Sequence, residues 1–72
     1  LIADFKTERA PPRRFEEVPP AYVAQLALYR AVLARIYPGR TVRAALVWTD
    51  VPDLMELPAA ILDRALTALT TP

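Results

Sequence analysis

Thr41-Val42-Arg43-Ala44-Ala45-Leu46-Val47-Trp48-Thr49 is the stretch on which the fold turns. Val42, Ala44, Leu46 and Trp48 alternate with Arg43, Ala45, Val47 and Thr49, the two-residue repeat of a β-strand. Beyond Arg43 both alternating sets are apolar, the pattern of a strand covered on two sides. Asp50-Val51-Pro52-Asp53 follows as a turn, and Leu54-Met55-Glu56-Leu57 reads as a short returning strand, which makes a hairpin. Pro58 then opens a final helix over 58–69 with Ile61, Leu62, Ala65, Leu66 and Leu69 on the buried stripe, while Asp63 and Arg64 face out.

Upstream of the decisive strand, Pro38-Gly39 stops a helix that Pro19-Pro20 starts, so the helix spans 20–37. Stepping ~100° per residue puts Tyr22, Leu26, Tyr29, Leu33 and Ile36 on one stripe, together with the polar Gln25. The opposite side carries Ala24, Ala27, Ala31 and Ala34 beside Val23, Arg30 and Arg35. That side is rich in alanine rather than polar, which leaves room for a second neighbour. Residues 7–19 hold Pro11 and Pro12 and show no useful period, so they read as a loop. About a dozen residues is long for a connection, and long loops often carry function. Leu1-Ile2-Ala3-Asp4-Phe5-Lys6 reads as a first strand, apolar where it begins and polar where it leaves. The expected order is strand, loop, helix, strand, strand, helix, an α/β fold with a three-stranded mixed sheet. Its first and second strands are expected to run parallel through a crossover, with one edge of the first unpaired.

Composition narrows the chemistry. Seventy-two residues allow one small domain. The chain is 54% hydrophobic, with a mean hydropathy of +0.19; a core of this size cannot hide so much apolar surface, so other surfaces are expected to cover it. A net charge of +1 gives no argument for nucleic acid from totals. The absence of cysteine removes disulfides and cysteine-bound metal, and the absence of histidine removes imidazole acid–base chemistry. No apolar run approaches the ~20 residues of a membrane span. Starting on Leu1 rather than Met, inside a strand, the sequence reads as a piece of something larger.

Asp4 and Lys6 stand two apart on the first strand, so their side chains leave one face ~6–7 Å apart, with Phe5 pointing the other way into the core. A carboxylate and an ammonium side by side suit metal-assisted phosphodiester cleavage: the acid holds Mg²⁺, and the lysine offsets charge that builds on the phosphate. Taken alone, the pair reads as a solvated strand exit rather than a site. Gln25 and Tyr29 are four apart, stacked ~6 Å along one helix face. Taken alone they read as a buried amide bonded to the backbone and a core tyrosine.

Together, Asp4-Phe5-Lys6-Thr7 and, after a loop, Gln25-Leu26-Ala27-Leu28-Tyr29 resemble the second half of the signature of RecB-like nucleases, members of the restriction-endonuclease-like PD-(D/E)xK superfamily. Nearly the whole chain is similar to the carboxy-terminal end of AddA-type subunits of alphaproteobacterial helicase–nucleases. The resemblance implies a partial restriction-endonuclease-like domain. It makes Asp4 the metal-binding acid and Phe5 the residue whose backbone carbonyl completes the metal site. Lys6 becomes the catalytic lysine, and Gln25 and Tyr29 the pair that steadies the site and touches the DNA backbone. Mg²⁺, or Mn²⁺ in its place, is the implied cofactor, with ATP entering only through a helicase domain outside this sequence. The implied partners are DNA, an AddB-like subunit and the rest of the same polypeptide, in a bacterial cytoplasm and away from membranes. The family's first acid has no counterpart here, nor has a Walker-type phosphate loop. The resemblance therefore implies a chain that binds Mg²⁺ weakly and does not cut DNA by itself. The rival reading is a catalytically dead module that binds protein or DNA. A CRISPR-associated relative of the same family would carry a four-cysteine cluster, which this sequence lacks.

Weaker candidates surround these. Arg9, Arg13 and Arg14 in the long loop suit phosphate contacts, but Glu8, Glu16 and Glu17 share the loop and make it mixed in charge. Arg40 and Arg43 read as surface, Trp48 as core, and Asp50 and Asp53 as turn residues rather than a second metal site. An open strand edge and apolar helix faces predict self-association.

Overall fold

Pro20 occupies the first turn of a helix, where its missing N–H costs nothing and its fixed φ is already helical. That helix is α1 (Pro20–Ile36), preceded by Pro19 at the cap position. It ends where the Tyr37 amide donates to the Leu33 carbonyl and Gly39 takes a positive φ of 85°, the left-handed turn that glycine alone adopts cheaply. The other elements of the computed structural model are strand β1 (Ile2–Lys6), strand β2 (Ala44–Trp48), strand β3 (Asp53–Glu56) and helix α2 (Ala59–Thr70), with a single 3₁₀ turn at Phe15–Glu17 in the long loop. The structure describes residues 1–7, 11–50 and 53–70. Glu8, Arg9 and Ala10 of the loop, Val51 and Pro52 of the expected hairpin turn, and the terminal Thr71 and Pro72 lie outside the described residues.

The sheet order is β1-β2-β3. β1 pairs parallel to β2, with Asp4 beside Leu46 and Lys6 beside Trp48. β2 pairs antiparallel to β3, as a hairpin should. The expected α/β class and mixed three-stranded sheet are therefore present, with element ends shifted by one to three residues. β2 starts at Ala44 rather than Thr41 because Arg43 precedes the ladder, its carbonyl accepting from the Ile2 amide at 2.8 Å. The returning strand is shifted forward to Asp53–Glu56.

One face of the sheet carries the core. Leu46 and Trp48 from β2, Leu26 from α1 and Leu62 from α2 are the largest fully buried side chains, joined by Val18, Val23, Ala27, Ala44 and Leu57. On α1 the buried line is Val23, Leu26 and Ala27, rotated from the expected stripe. Tyr29 and Ile36 are 47% and 59% exposed. The rotation has a cause: α2 packs against α1 beside Ala27, Arg30, Ala31 and Ala34, so the helix buries the seam between its two apolar faces. Arg30 closes that seam, its Nε donating to the Val42 carbonyl at 3.0 Å and its Nη1 pairing with Asp63 Oδ1 at 2.7 Å. On α2, Leu62 is buried, but Leu69 near the end of the helix is 49% exposed.

The second face of the sheet departs from expectation. Phe5, expected in the core, is 67% exposed, as is Leu54 at 53%. Strand alternation places Phe5 opposite Asp4 and Lys6, and both helices lie on the Asp4 side, so no described element covers the Phe5 side. Ala45 is nevertheless fully buried, being small and flanked in the sheet by Ala3 and Glu56. On this second face β2 itself stays covered at Ala45 and partly at Val47, while the flanking Phe5 and Leu54 are exposed.

Candidate functional site

At the carboxy-terminal end of β1, alternation turns Asp4 and Lys6 toward α1, where both side chains are largely covered, at 23% and 18% exposure. The Lys6 ammonium meets three groups there. Its Nζ donates to Gln25 Oε1 at 3.1 Å. It lies 3.3 Å from Asp4 Oδ2 and 4.3 Å from the centre of the Tyr22 ring. Gln25 Nε2 in turn donates to the Tyr29 hydroxyl at 3.0 Å. The i, i+4 spacing of Gln25 and Tyr29 makes this second link, since it stacks the two side chains on one side of the helix. All four residues singled out from the sequence are thus joined in one chain of contacts, from Asp4 through Lys6 and Gln25 to Tyr29. Gln25 is exposed rather than buried, so it serves Lys6 at the rim and not the backbone inside.

The acid end of the chain is unusual. Asp4 Oδ2 is buried yet accepts no hydrogen bond. The ammonium beside it stands at ion-pair distance while it also donates to Gln25 Oε1. A buried carboxylate oxygen without a donor is costly unless a charge compensates it, and here Lys6 supplies part of that charge.

The backbone adds a second oxygen. The Ile2 amide donates to Arg43, and the Lys6 carbonyl accepts from the Thr49 amide at 2.9 Å and from the Thr49 hydroxyl at 3.2 Å. In a parallel ladder, alternate residues of a strand bond the same neighbour. Ile2, Asp4 and Lys6 therefore face β2, and the carbonyls of Ala3 and Phe5 point to the open edge. Among the described residues no strand pairs with that edge, so the Phe5 carbonyl is open to a ligand there even though its ring is on the opposite face. Asp4 and this carbonyl suit a hard cation that keeps several waters, as Mg²⁺ does. They are a minimal set: among the described residues no cluster of three acidic, histidine or cysteine side chains can hold a metal.

Sequence reasoning missed two members of the site. Tyr22 had been placed with the core stripe, and it does pack beside Trp48, ring centres 6.3 Å apart; its other role, under Lys6, was legible only in its position one turn before Gln25. Thr49 ends the decisive stretch and had no distinguishing mark. Trp48 is fully buried, as expected, and its Nε1 has no hydrogen-bond partner. Arg13 and Arg14 are exposed, and Arg14 pairs with Glu16 at 3.5 Å, so the structure brings neither to Asp4. A groove of about 520 Å³ between α1 and α2, lined by Ala31, Ala34, Arg35, Leu62 and Leu66 among others, contains none of the site residues. No helix among the described residues is long and apolar enough to cross a membrane. No family model, no curated protein and no solved structure matches the chain.

Proposed function

We propose that this chain contributes half of a Mg²⁺-dependent DNA-cleaving site of the RecB-like kind. The observation that carries the reading is the contact of Lys6 with Gln25, which joins two motifs nineteen positions apart in sequence. Asp4 and the Phe5 carbonyl hold the cation, which polarises the scissile phosphate and activates water when bound. Lys6, fixed between Asp4 and Gln25, places a positive charge where the phosphoryl oxygens gain negative charge in the transition state. Gln25 fixes the direction of the lysine, and the half-exposed Tyr29 hydroxyl extends the chain toward a DNA phosphate. Arg13 and Arg14 add phosphate contacts from the loop. In this reading the parent protein is an ATP-dependent helicase–nuclease for double-strand-break repair in a bacterial cytoplasm. DNA, an AddB-like subunit and further parts of its own polypeptide are its partners. A second acid from outside these residues completes the cage, so the 72-residue chain by itself binds Mg²⁺ weakly and leaves DNA uncut.

A second reading has its own observation. A single side-chain carboxylate at the site favours a module that binds DNA or protein without cleaving. Titration with Mg²⁺, followed by NMR with and without a short DNA duplex, separates the two. Shifts converging on the Asp4 and Lys6 amides and the Gln25 and Tyr29 side chains support the nuclease-like site. Shifts scattered over surface acids such as Asp50 and Glu56, or no shifts, would sink it. Metal-dependent cleavage by the isolated chain that vanishes in Lys6→Ala would refute the half-site description.

A further inference from the structure

The distance between Lys6 and Asp4 is longer than the chemistry of the pair requires. An ammonium and a carboxylate two residues apart, both largely covered from solvent, ordinarily close to a hydrogen bond of ~2.7–2.9 Å. Here the gap is 3.3 Å and Oδ2 accepts no hydrogen bond. Two groups draw the ammonium the other way: Gln25 Oε1, and the face of the Tyr22 ring 4.3 Å from Nζ. An aromatic face is negative at its centre and attracts a cation within ~6 Å. The ring is itself held, because Tyr22 sits on the first turns of α1 against the buried Trp48.

We infer that Tyr22 is a positioning residue whose ring holds the Lys6 ammonium back from Asp4, so that the carboxylate is not consumed by its neighbouring lysine and remains available to a divalent cation. The inference rests on the proposed metal site for its consequence, but the hold on Lys6 stands or falls independently of any metal. Without the ring, only Gln25 Oε1 opposes Asp4, the ammonium shifts toward the carboxylate, and a cation competes with it more directly.

The test uses the full 72-residue chain with Tyr22 replaced by Phe, by a graded series of ring-fluorinated phenylalanines, and by Leu. Fluorination withdraws charge from the ring face at nearly constant shape, so a purely structural role of Tyr22 would not respond to it. In metal-free protein the Lys6 ε-methylene protons are expected upfield of their ordinary position, with cross-relaxation to the residue 22 ring. This shift is retained in Tyr22→Phe, shrinks stepwise as fluorine is added, and is lost in Tyr22→Leu. In parallel the Asp4 carboxyl carbon moves toward a hydrogen-bonded value. Mn²⁺ dissociation constants, read from paramagnetic broadening, are expected to rise roughly three- to fivefold from Phe to the most fluorinated ring. Adding Lys6→Met is expected to remove that dependence. A Lys6 signal indifferent to fluorination, or Mn²⁺ affinity that rises as the ring loses charge, overturns the inference. An intact Lys6–ring signature in a chain that binds no Mn²⁺ at Asp4 overturns the metal-site reading and leaves the role of Tyr22 toward Lys6 standing.

Discussion

Trp48 shows how one side chain serves two ends in so small a protein. It is fully buried, it supports the Tyr22 ring, and it stands beside Lys6 in the parallel ladder. Truncation to Ala removes the largest single piece of the core, a loss of ~3–5 kcal/mol, against total stabilities of ~5 kcal/mol and upward. Trp48→Ala is therefore expected to be largely unfolded. Trp48→Phe, which also deletes the unpartnered indole N–H, is expected to keep a cooperative transition in urea with a modestly lower midpoint. Equal midpoints for Trp48→Phe and Trp48→Ala would show that volume at this position matters less than its burial indicates. At this scale the sequence was legible where a residue type carries one strong preference. Trp48 alternating inward is one case, and Gln25 and Tyr29 sharing a helix side is another. Phe5 went the other way. Its hydrophobicity argued for the core, but alternation tied it to the face opposite Asp4, and no residue-level property says which face the helices choose.

Among the elements, the hairpin of β2 and β3 carries a pH signature. Arg43, just before β2, and Glu56, at the end of β3, form a two-pronged ion pair with one bond of 2.9 Å. The hydrogen bond from Arg43 holds the Glu56 carboxyl below its ordinary value of 4.5; the same bond raises Arg43, which stays charged throughout. A depressed carboxyl contributes to stability above its unfolded value, and the contribution is lost as pH falls through the lowered folded value. Both side chains are on the exposed surface, so the effect is confined to the hairpin end. NMR titration is expected to show the Glu56 carboxyl and the Arg43 Nε–H moving together on the acid side of the ordinary glutamate range. In Glu56→Gln the Arg43 transition should be absent; a transition that persists there would assign it to another acid. The elements themselves were the most legible part of the sequence. Pro19-Pro20 and Pro38-Gly39 fence α1 to within a residue, because proline and glycine act through local backbone geometry. The face α1 buries was less legible, because both its sides are apolar and the docking of α2 decides between them.

As a whole the described residues form a slab, 34 × 27 × 16 Å. The thin dimension is that of one sheet and one layer of helices, with the sheet's other face bearing the exposed Phe5 and Leu54. An apolar face and an unpaired strand edge on one side predict concentration-dependent self-association. Phe5→Lys is expected to reduce it, as read by sedimentation velocity across a range of concentrations. A wild-type chain that sediments as a monomer at every concentration would refute this. The parallel pairing has a consequence in time. Ile2 finds its partner at Ala44, so the strand bearing Asp4 and Lys6 is synthesised well before the strand that receives it. Closing so long a loop is slow beside the growth of the intervening helix. The acid and the lysine therefore lack the strand that fixes them beside α1 until β2 has been made, and the candidate site cannot be set before then.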